Sequence, residues 1–297
     1  MTERLHLRVR DPFIVAFQGY YYMYGTREER TVFCYRSRDL EHWEVHCDVF
    51  TIPEDSWGAR DVWASEVHAY RSRFYLFVSL LGKNGLRGTQ VAVADRPDGC
   101  FVPVRNRPLT PAWQSCIDGT LFVDGDTPYI VYSHDWPDHY VQEKGAYVGE
   151  ICGAQVREDL SEIVGDPFLL FASDEAPLSR NTPHRVSKDG AHFVRYGSDA
   201  PFVQRLSDGR LLLTWSPYLQ DRYVVLYAIS ENGSIRGPWR HGDAPLFDED
   251  GGHAMFFRDF DGELRMCLHA PEKPPMERAR IFRVTESSEG ISLLSEI

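Results

Sequence analysis

The chain has 297 residues, a net charge of −12 and a pI near 5.4. Lys and Arg scattered over so acidic a chain build no cation track for a phosphate backbone or an anionic membrane surface, so neither nucleic acid nor membrane is an expected partner. A hydrophobic share of 43% with 13% aromatics supplies a sizeable core, and no apolar run is long enough to span a bilayer.

Residues 3–10 alternate apolar and charged side chains, as an edge or closing strand does. A hairpin follows. Asp11 opens an apolar run to Phe17, Gln18 and Gly19 turn it, and Tyr20 to Tyr24 return. Residues 31–35 and then 37–44 read as a third strand, a turn and a fourth strand. The unit recurs from Glu66, turning at 71–73 and returning through 74–78, with an outer half at 91–101. Asp118 opens the third copy, Asp124, Gly125 and Asp126 turn it, and Pro128 to Ser133 return. Residues 136–195 break the pattern and read as an inserted segment. Within it, 172–192 is rich in Asp, Pro, Ser and Arg and is expected to be a loop over one face. Asp199 opens the fourth copy, which turns at 207–209, and His253 opens the fifth, which turns at Asp261 and Gly262. A last alternating segment, 280–284, is expected to share a blade with 3–10 and so remove an exposed edge.

The openings fall at 11, 66, 118, 199 and 253, a period near fifty residues with one long third interval. Several short strands per period of that length predict an all-β, five-bladed propeller, with 1–297 as a single domain. Trp43 and Trp239 occupy equivalent outer positions and read as aromatic clamps between blades. The six cysteines show no CxxC spacing, and the start of the chain has no apolar leader before a small-residue cleavage site. Reduced thiols in a cytoplasmic protein are the expectation.

In a propeller the first strand of each blade lines the central channel, so the residue that opens it lies at one mouth. The repeat therefore places Asp11, Glu66, Asp118, Asp199 and His253 around one rim. Four carboxyls and a histidine there cannot all be ionised at little cost: like charges at short range raise some of the proton affinities, and burial raises those of the acids further. Two uses fit such a cluster. One is a general acid and a general base working on a glycosidic bond. The other is oxygen ligation of a hard cation such as calcium. The plain alternative is that Asp merely starts strands well. Flat rings near the openings, Trp63 and Trp136, suit stacking on sugar faces.

Several stretches carry a family likeness: Arg10, Asp11 and Pro12; residues 21–26; residues 37–43; residues 62–68 around Trp63 and Glu66; Ile117, Asp118 and Gly119; Ser198, Asp199, Ala200 and Pro201; and Gly251, Gly252 and His253. In this order, over nearly the whole chain, they resemble glycoside hydrolase family 43, the five-bladed propeller glycosidases. The resemblance implies an inverting hydrolase acting on α-L-arabinofuranosyl, β-D-xylosyl or β-D-galactosyl residues. It implies Asp11 as general base and Asp118 as the group that orients the acid and raises its pKa. The acid belongs at the fourth copy, where the family typically carries Glu and this chain has Asp199, shorter by one methylene. Glu66 and Glu150 are the other carboxyls that could serve, and a weakly active or inactive sugar-binding propeller is the rival reading. Glu66, His253, Trp63 and Trp136 are expected to contact substrate. His253 further matches a family histidine that in some members helps hold calcium through water. No cofactor is required for the reaction. The cytoplasmic expectation fits exo-acting trimming of short plant-type oligosaccharides.

Overall fold

A computed structural model describes residues 3–4, 7–27, 29–188, 191–287 and 290–297. Five antiparallel sheets follow one another along the chain. Blade I holds Phe13–Phe17, Tyr20–Arg27, Thr31–Ser37 and His42–Thr51. Blade II holds Gly58–Tyr70, Arg73–Gly82, Arg87–Ala94 and Val102–Pro103. Blade III holds Cys116–Asp124, Thr127–His134, Glu150–Gln155 and Phe168–Ala172. Blade IV holds Asp199–Arg205, Leu211–Ser216, Leu226–Ser230 and Trp239–His241, and blade V holds Gly252–Arg258, Leu264–Ala270, Arg278–Ser287 and Gly290–Glu296.

The hairpins turn where the polar breaks stand. In blade I, Phe17 pairs with Tyr20 around Gln18 and Gly19, both at positive φ (49° and 79°), the two-residue turn whose twist matches that of the flanking strands. The returning strands are rich in aromatic and β-branched residues and are almost wholly buried, Leu211–Ser216 throughout. Trp43, Trp215, Phe77, Phe171 and Tyr132 fill the space between sheets, each contributing about 1.5–3 kcal/mol of burial or more. The first strand of each blade touches that of the next, and Phe13–Phe17 touches both Gly58–Tyr70 and Gly252–Arg258, which closes the ring. The architecture is the expected five-bladed propeller.

Two expectations are corrected. The chain ends do not share a blade. Glu3–Arg4 pairs with His42–Thr51, the outer strand of its own blade, and blade V is built from C-terminal residues alone. Alternation in 3–10 signals a strand with one wet face but does not name its partner; residues 5 and 6 lie outside the described part. Blades V and I meet through side chains instead. The Tyr21 ring lies 4.5 Å from Phe260 and 6.3 Å from Phe257, and the Phe260 N–H donates to the Tyr21 hydroxyl.

The segment 136–195 is also less foreign than its pattern suggests. Glu150–Gln155 and Phe168–Ala172 are ordinary strands of blade III. The true insertion forms a second sheet of Tyr140–Val141, Ala146–Val148, Ala191–Tyr196 and His184–Lys188, with a short helix at Pro177–Asn181. The expected loop at 172–192 is therefore partly ordered. Its strands are short and pair mostly with each other, which hides them from a fifty-residue period.

Candidate active site

The site grows from a bulge repeated in the blades. In blade III the register jumps from Ile117↔Ser133 to Thr120↔Val131, so two residues oppose one. Blade II jumps between Trp63 and Glu66, blade IV between Asp199 and Phe202, and blade V between Gly252 and Met255. The first bulged residues are Ala64, Asp118, Ala200 and His253, and Asp11 stands two residues before the first paired residue of blade I. All five have left-handed backbone, with φ of 48°, 53°, 56°, 58° and 50° for Asp11. A non-glycine residue there costs roughly 1–2 kcal/mol, and such strain gathers at functional sites. In blade III the next residue, Gly119, has no room for a side chain: a Cβ would lie 2.6 Å from Thr89 Oγ1.

This geometry corrects the rim alignment. Asp11, Asp118 and His253 share one station. Asp199 stands one residue before its station, and Glu66 two residues beyond it. A pattern of apolar alternation cannot count bulged residues, so it slips by one or two wherever a bulge falls.

The bulges of blades III and V are each held by a serine on the second strand of the preceding blade, the one that pairs with the residue just before that blade's own bulge. Ser79 Oγ accepts from the Asp118 N–H at 2.8 Å, and Ser216 Oγ accepts from the His253 N–H at 2.9 Å. His269 Nδ1 lies 3.2 Å from the Asp11 nitrogen. Ser133 and Ser198 share a hydroxyl hydrogen bond at 2.5 Å beside Asp199. Ser79, Ser133, Ser216 and His269 all pair with the residue just before a bulge, a recurrence visible in the sequence only as a Ser or His in the later part of each returning strand.

Asp11 is surrounded by cations. Its Oδ1 lies 3.2 Å from His253 Nδ1 and 3.2 Å from His269 Nδ1, and Arg10 Nε is 3.8 Å from its Oδ2. Burial pushes its proton affinity up, but His253, His269 and Arg10 outweigh that and hold the carboxyl well below the ordinary range. Behind it Glu272, absent from the sequence-based candidates, collects three donors: Arg10 at 2.7 Å, the Tyr218 hydroxyl at 2.6 Å and His269 Nε2 at 2.6 Å.

Asp199 has the opposite environment. Burial, then the Asp118 and Asp135 carboxylates, push it up to about 8, with Arg195 opposing. Asp118 is raised in turn, by burial first and then by Asp11 and Glu66, against His253 and the Ala200 N–H, which donates to its Oδ2 at 2.9 Å. Asp135, another residue the sequence did not single out, is raised to about 7 by burial and Asp118.

The other candidates are placed as follows. Glu66 is buried below the rim and bonded to His68 Nε2 at 2.9 Å. Glu150 lies 2.9 Å from His134 Nδ1, and that bond holds its proton affinity down. Trp63 is 45% exposed, with the Arg87 guanidinium 3.2 Å from its ring centre. It shares with Asp11, Arg10 and Asp61 a cavity of about 500 Å³. Trp136 begins a short 3-10 turn, and its side chain lies outside the described residues. His253 is buried, and its Nε2 has no hydrogen-bond partner among the described residues. Burial lowers its proton affinity, but Asp11, Asp118 and Glu66 raise it to about 9. The orphan nitrogen fits a water-bridged cation. Without a cation, His253 is charged at neutral pH and Nε2 carries a proton; a cation nearby would displace that proton and leave the Nε2 lone pair to accept from a cation-bound water.

Known proteins match this arrangement at three levels. A xylosidase/arabinosidase of Bacteroides ovatus is 25% identical over 250 residues, covering 71% of this chain and 75% of that protein. The crystal structure of an endo-arabinase from Bacteroides thetaiotaomicron superposes with a TM-score of 0.87 at 33% identity, covering 97% of this chain and 98% of the other. A thermostable family-43 glycoside hydrolase has the same fold, with a TM-score of 0.81 at 24% identity over 97% of this chain and 93% of its own. The model of glycosyl hydrolases family 43 matches residues 5–288, and with the propeller and its channel carboxyls in place the chain belongs to that family of glycoside hydrolases.

Proposed function

We propose that the chain is an inverting, exo-acting glycosidase that removes terminal α-L-arabinofuranosyl, β-D-xylosyl or β-D-galactosyl residues from short plant-type oligosaccharides. Asp11 is the general base, Asp199 the general acid, and Asp118 the group that keeps Asp199 protonated and in position. One observation carries this assignment: at neutral pH Asp11 is held ionised by His253, His269 and Arg10, while Asp199, pushed to about 8, holds a proton. Two carboxyls driven apart in proton affinity are what acid–base catalysis at a glycosidic bond needs. Glu66 and Glu150 are both committed to histidines, which argues against either as the acid.

The reaction follows from these states. Asp11 accepts a proton from a water as that water attacks the anomeric carbon. Asp199 gives its proton to the glycosidic oxygen, which leaves with the aglycone as an alcohol. Attack opposite the leaving group inverts the anomeric centre, and the two carboxyls need roughly 6.5–9.5 Å between them to admit the water. Trp63 offers a flat face at the cavity that holds Asp11. A calcium ion held through water at His253 Nε2 would displace that histidine's extra proton and supply positive charge in its place.

Exo action is supported by the inserted sheet. Arg195, on its Ala191–Tyr196 strand, lies over the Tyr218 ring at 4.7 Å and opposes the rise in Asp199 proton affinity, so the insertion reaches the site from one side. A wall there suits a pocket for a chain end better than an open groove. The xylosidase and arabinosidase names of the relatives favour the first two sugars.

The test is hydrolysis of aryl α-L-arabinofuranoside, β-D-xyloside and β-D-galactoside by wild type and by Asp11→Asn. Turnover of one member, cut by about 10²–10⁴ in the variant and yielding the inverted anomer by NMR, supports the assignment. A retained anomer, or an undiminished Asp11→Asn rate, overturns it. Faster release from polymeric arabinan or xylan than from disaccharides overturns the exo reading alone.

A further inference from the structure

Blade III and the inserted sheet meet at a side-chain cluster with no part in the chemistry above. His134 ends the second strand of blade III, Glu150 faces it in register at the start of the third, and His139 comes from the link that leads into the insertion. Glu150 Oε2 lies 2.9 Å from His134 Nδ1 and 3.8 Å from His139 Nδ1. Among the described residues this is the one place where three metal-ligating side chains converge, their ligand atoms all within 4.8 Å of one another. The two imidazoles stack with centres 5.0 Å apart.

We propose that His134, His139 and Glu150 bind a divalent transition-metal ion of the zinc class, clasping the insertion to blade III. Two imidazole nitrogens and one carboxylate oxygen are a common zinc donor set, with a fourth position left for water. Bonds of about 2.0–2.1 Å in a tetrahedron put ligand atoms about 3.3 Å apart. The two separations from Glu150, 2.9 and 3.8 Å, bracket that figure, and all three ligand atoms lie within 4.8 Å of one another, so side-chain adjustment closes the set around an ion. The outer shell is in place as well. His134 Nε2 lies 3.1 Å from Asp138 Oδ1, the carboxylate–histidine arrangement that fixes a ligand's tautomer and leaves Nδ1 for the metal. Asp138 is itself held, its Oδ2 accepting from the Ser115 N–H at 2.6 Å. His139 Nδ1 lies 2.8 Å from the Val148 carbonyl oxygen, so metal binding must displace that hydrogen bond. The His and Glu donors favour a borderline cation over calcium or magnesium, which prefer all-oxygen sites.

The competing account is an ion pair, with a charged His134 between Asp138 and Glu150. The two accounts part on zinc. EDTA-stripped full-length protein titrated with Zn²⁺ in a calorimeter should bind one equivalent and melt at a higher temperature with zinc than without. His139→Ala and Glu150→Gln should each weaken binding by about 100-fold, and Asp138→Asn by about 10-fold, since loss of an outer-shell partner costs 10–100-fold. The visible absorption of bound Co²⁺ should report the same order of variants. Melting temperatures in EDTA identify any variant that fails to fold; either ligand variant suffices. No heat and no shift with the wild type, or unchanged affinity in the folded ligand variants, overturns the site.

Discussion

Across the boundary between blades III and IV, the Ala200 N–H donates to Asp118 Oδ2 at 2.9 Å. One carboxylate thus fixes the backbone next to Asp199 while its charge makes Asp199 reluctant to ionise. Ala200 is the left-handed residue of the blade IV bulge. Asp118 therefore stabilises a strained turn as well as tuning a proton.

The first prediction separates those two effects. As the proposed general acid, Asp199 would serve only when protonated, and it is pushed up to about 8, so the free enzyme's kcat/KM should fall above that pH. Asp118→Asn removes a negative charge that raises the Asp199 pKa, so the alkaline limb should move to lower pH. If Asp118 only held backbone, the rate would fall with the limb in place. A pH profile of both proteins decides.

Asp199→Asn should be sensitive to the leaving group. Protonating the departing oxygen matters most for poor leaving groups. Activity on a natural disaccharide should fall by about 10²–10⁴, while a dinitrophenyl glycoside, whose leaving anion needs no proton, should lose far less. Equal losses on both substrates would remove Asp199 from the acid's role.

Glu272 should act through its neighbours. It bonds His269 and Arg10, two of the groups that hold Asp11 ionised. Glu272→Gln weakens the hold on both, so the Asp11 pKa should rise and the acid limb should shift to higher pH. The accompanying loss in kcat is expected to be about tenfold, short of the effect of removing the base itself. A lower rate with an unmoved acid limb would assign Glu272 a purely structural role.

Stability should carry the mark of the buried acid. An unfolded aspartate titrates near 3.9, whereas folded Asp199 keeps its proton to about pH 8. Between those values the native state holds the extra proton, so stability contributed by this group falls as pH rises through the window. Asp199→Asn removes that titration. The variant should melt several degrees above wild type at pH 8, at roughly 2–4 °C per kcal/mol, and the gap should close towards pH 4. Parallel melting curves from pH 4 to 8 would count against a protonated Asp199.

Much of this was legible in the chain. Five aligned hairpins gave the blade number, and turns at Gln18–Gly19 and Gly125–Asp126 fell where the polar breaks predicted. Trp43 proved fully buried, as an outer clamp should be. Asp11, Asp118 and Asp199 could be named because the hairpin repeat aligns them near the start of a blade's first strand and the family resemblance carries the roles.

The residues that went unread share a reason. Glu272, Asp135 and Arg195 belong to no repeated position, and they meet the site only because the ring closes and the insertion folds back. Glu66 was misplaced because a bulge adds residues without changing the apolar alternation. Ser79, Ser133, Ser216 and His269 did recur, but as single polar residues late in a returning strand, where nothing in the sequence sets them apart. Their partners lie on the next blade, and sequence spacing does not show which backbone groups a bulge leaves open.

Among the described residues no blade is shared by the two chain ends, and this makes the seam between blades V and I informative. Among the described residues no strand crosses there, and Asp11, the proposed base, belongs to blade I while the two histidines that hold its charge belong to blade V. The latch of the molecule and its proton acceptor are one cluster of charges. Any loosening that parts the first blade from the last disarms the base before a single sheet has melted. Gentle denaturation should therefore silence hydrolysis while the β-sheet signal in circular dichroism is still intact, and turnover becomes a gauge of whether the circle is shut.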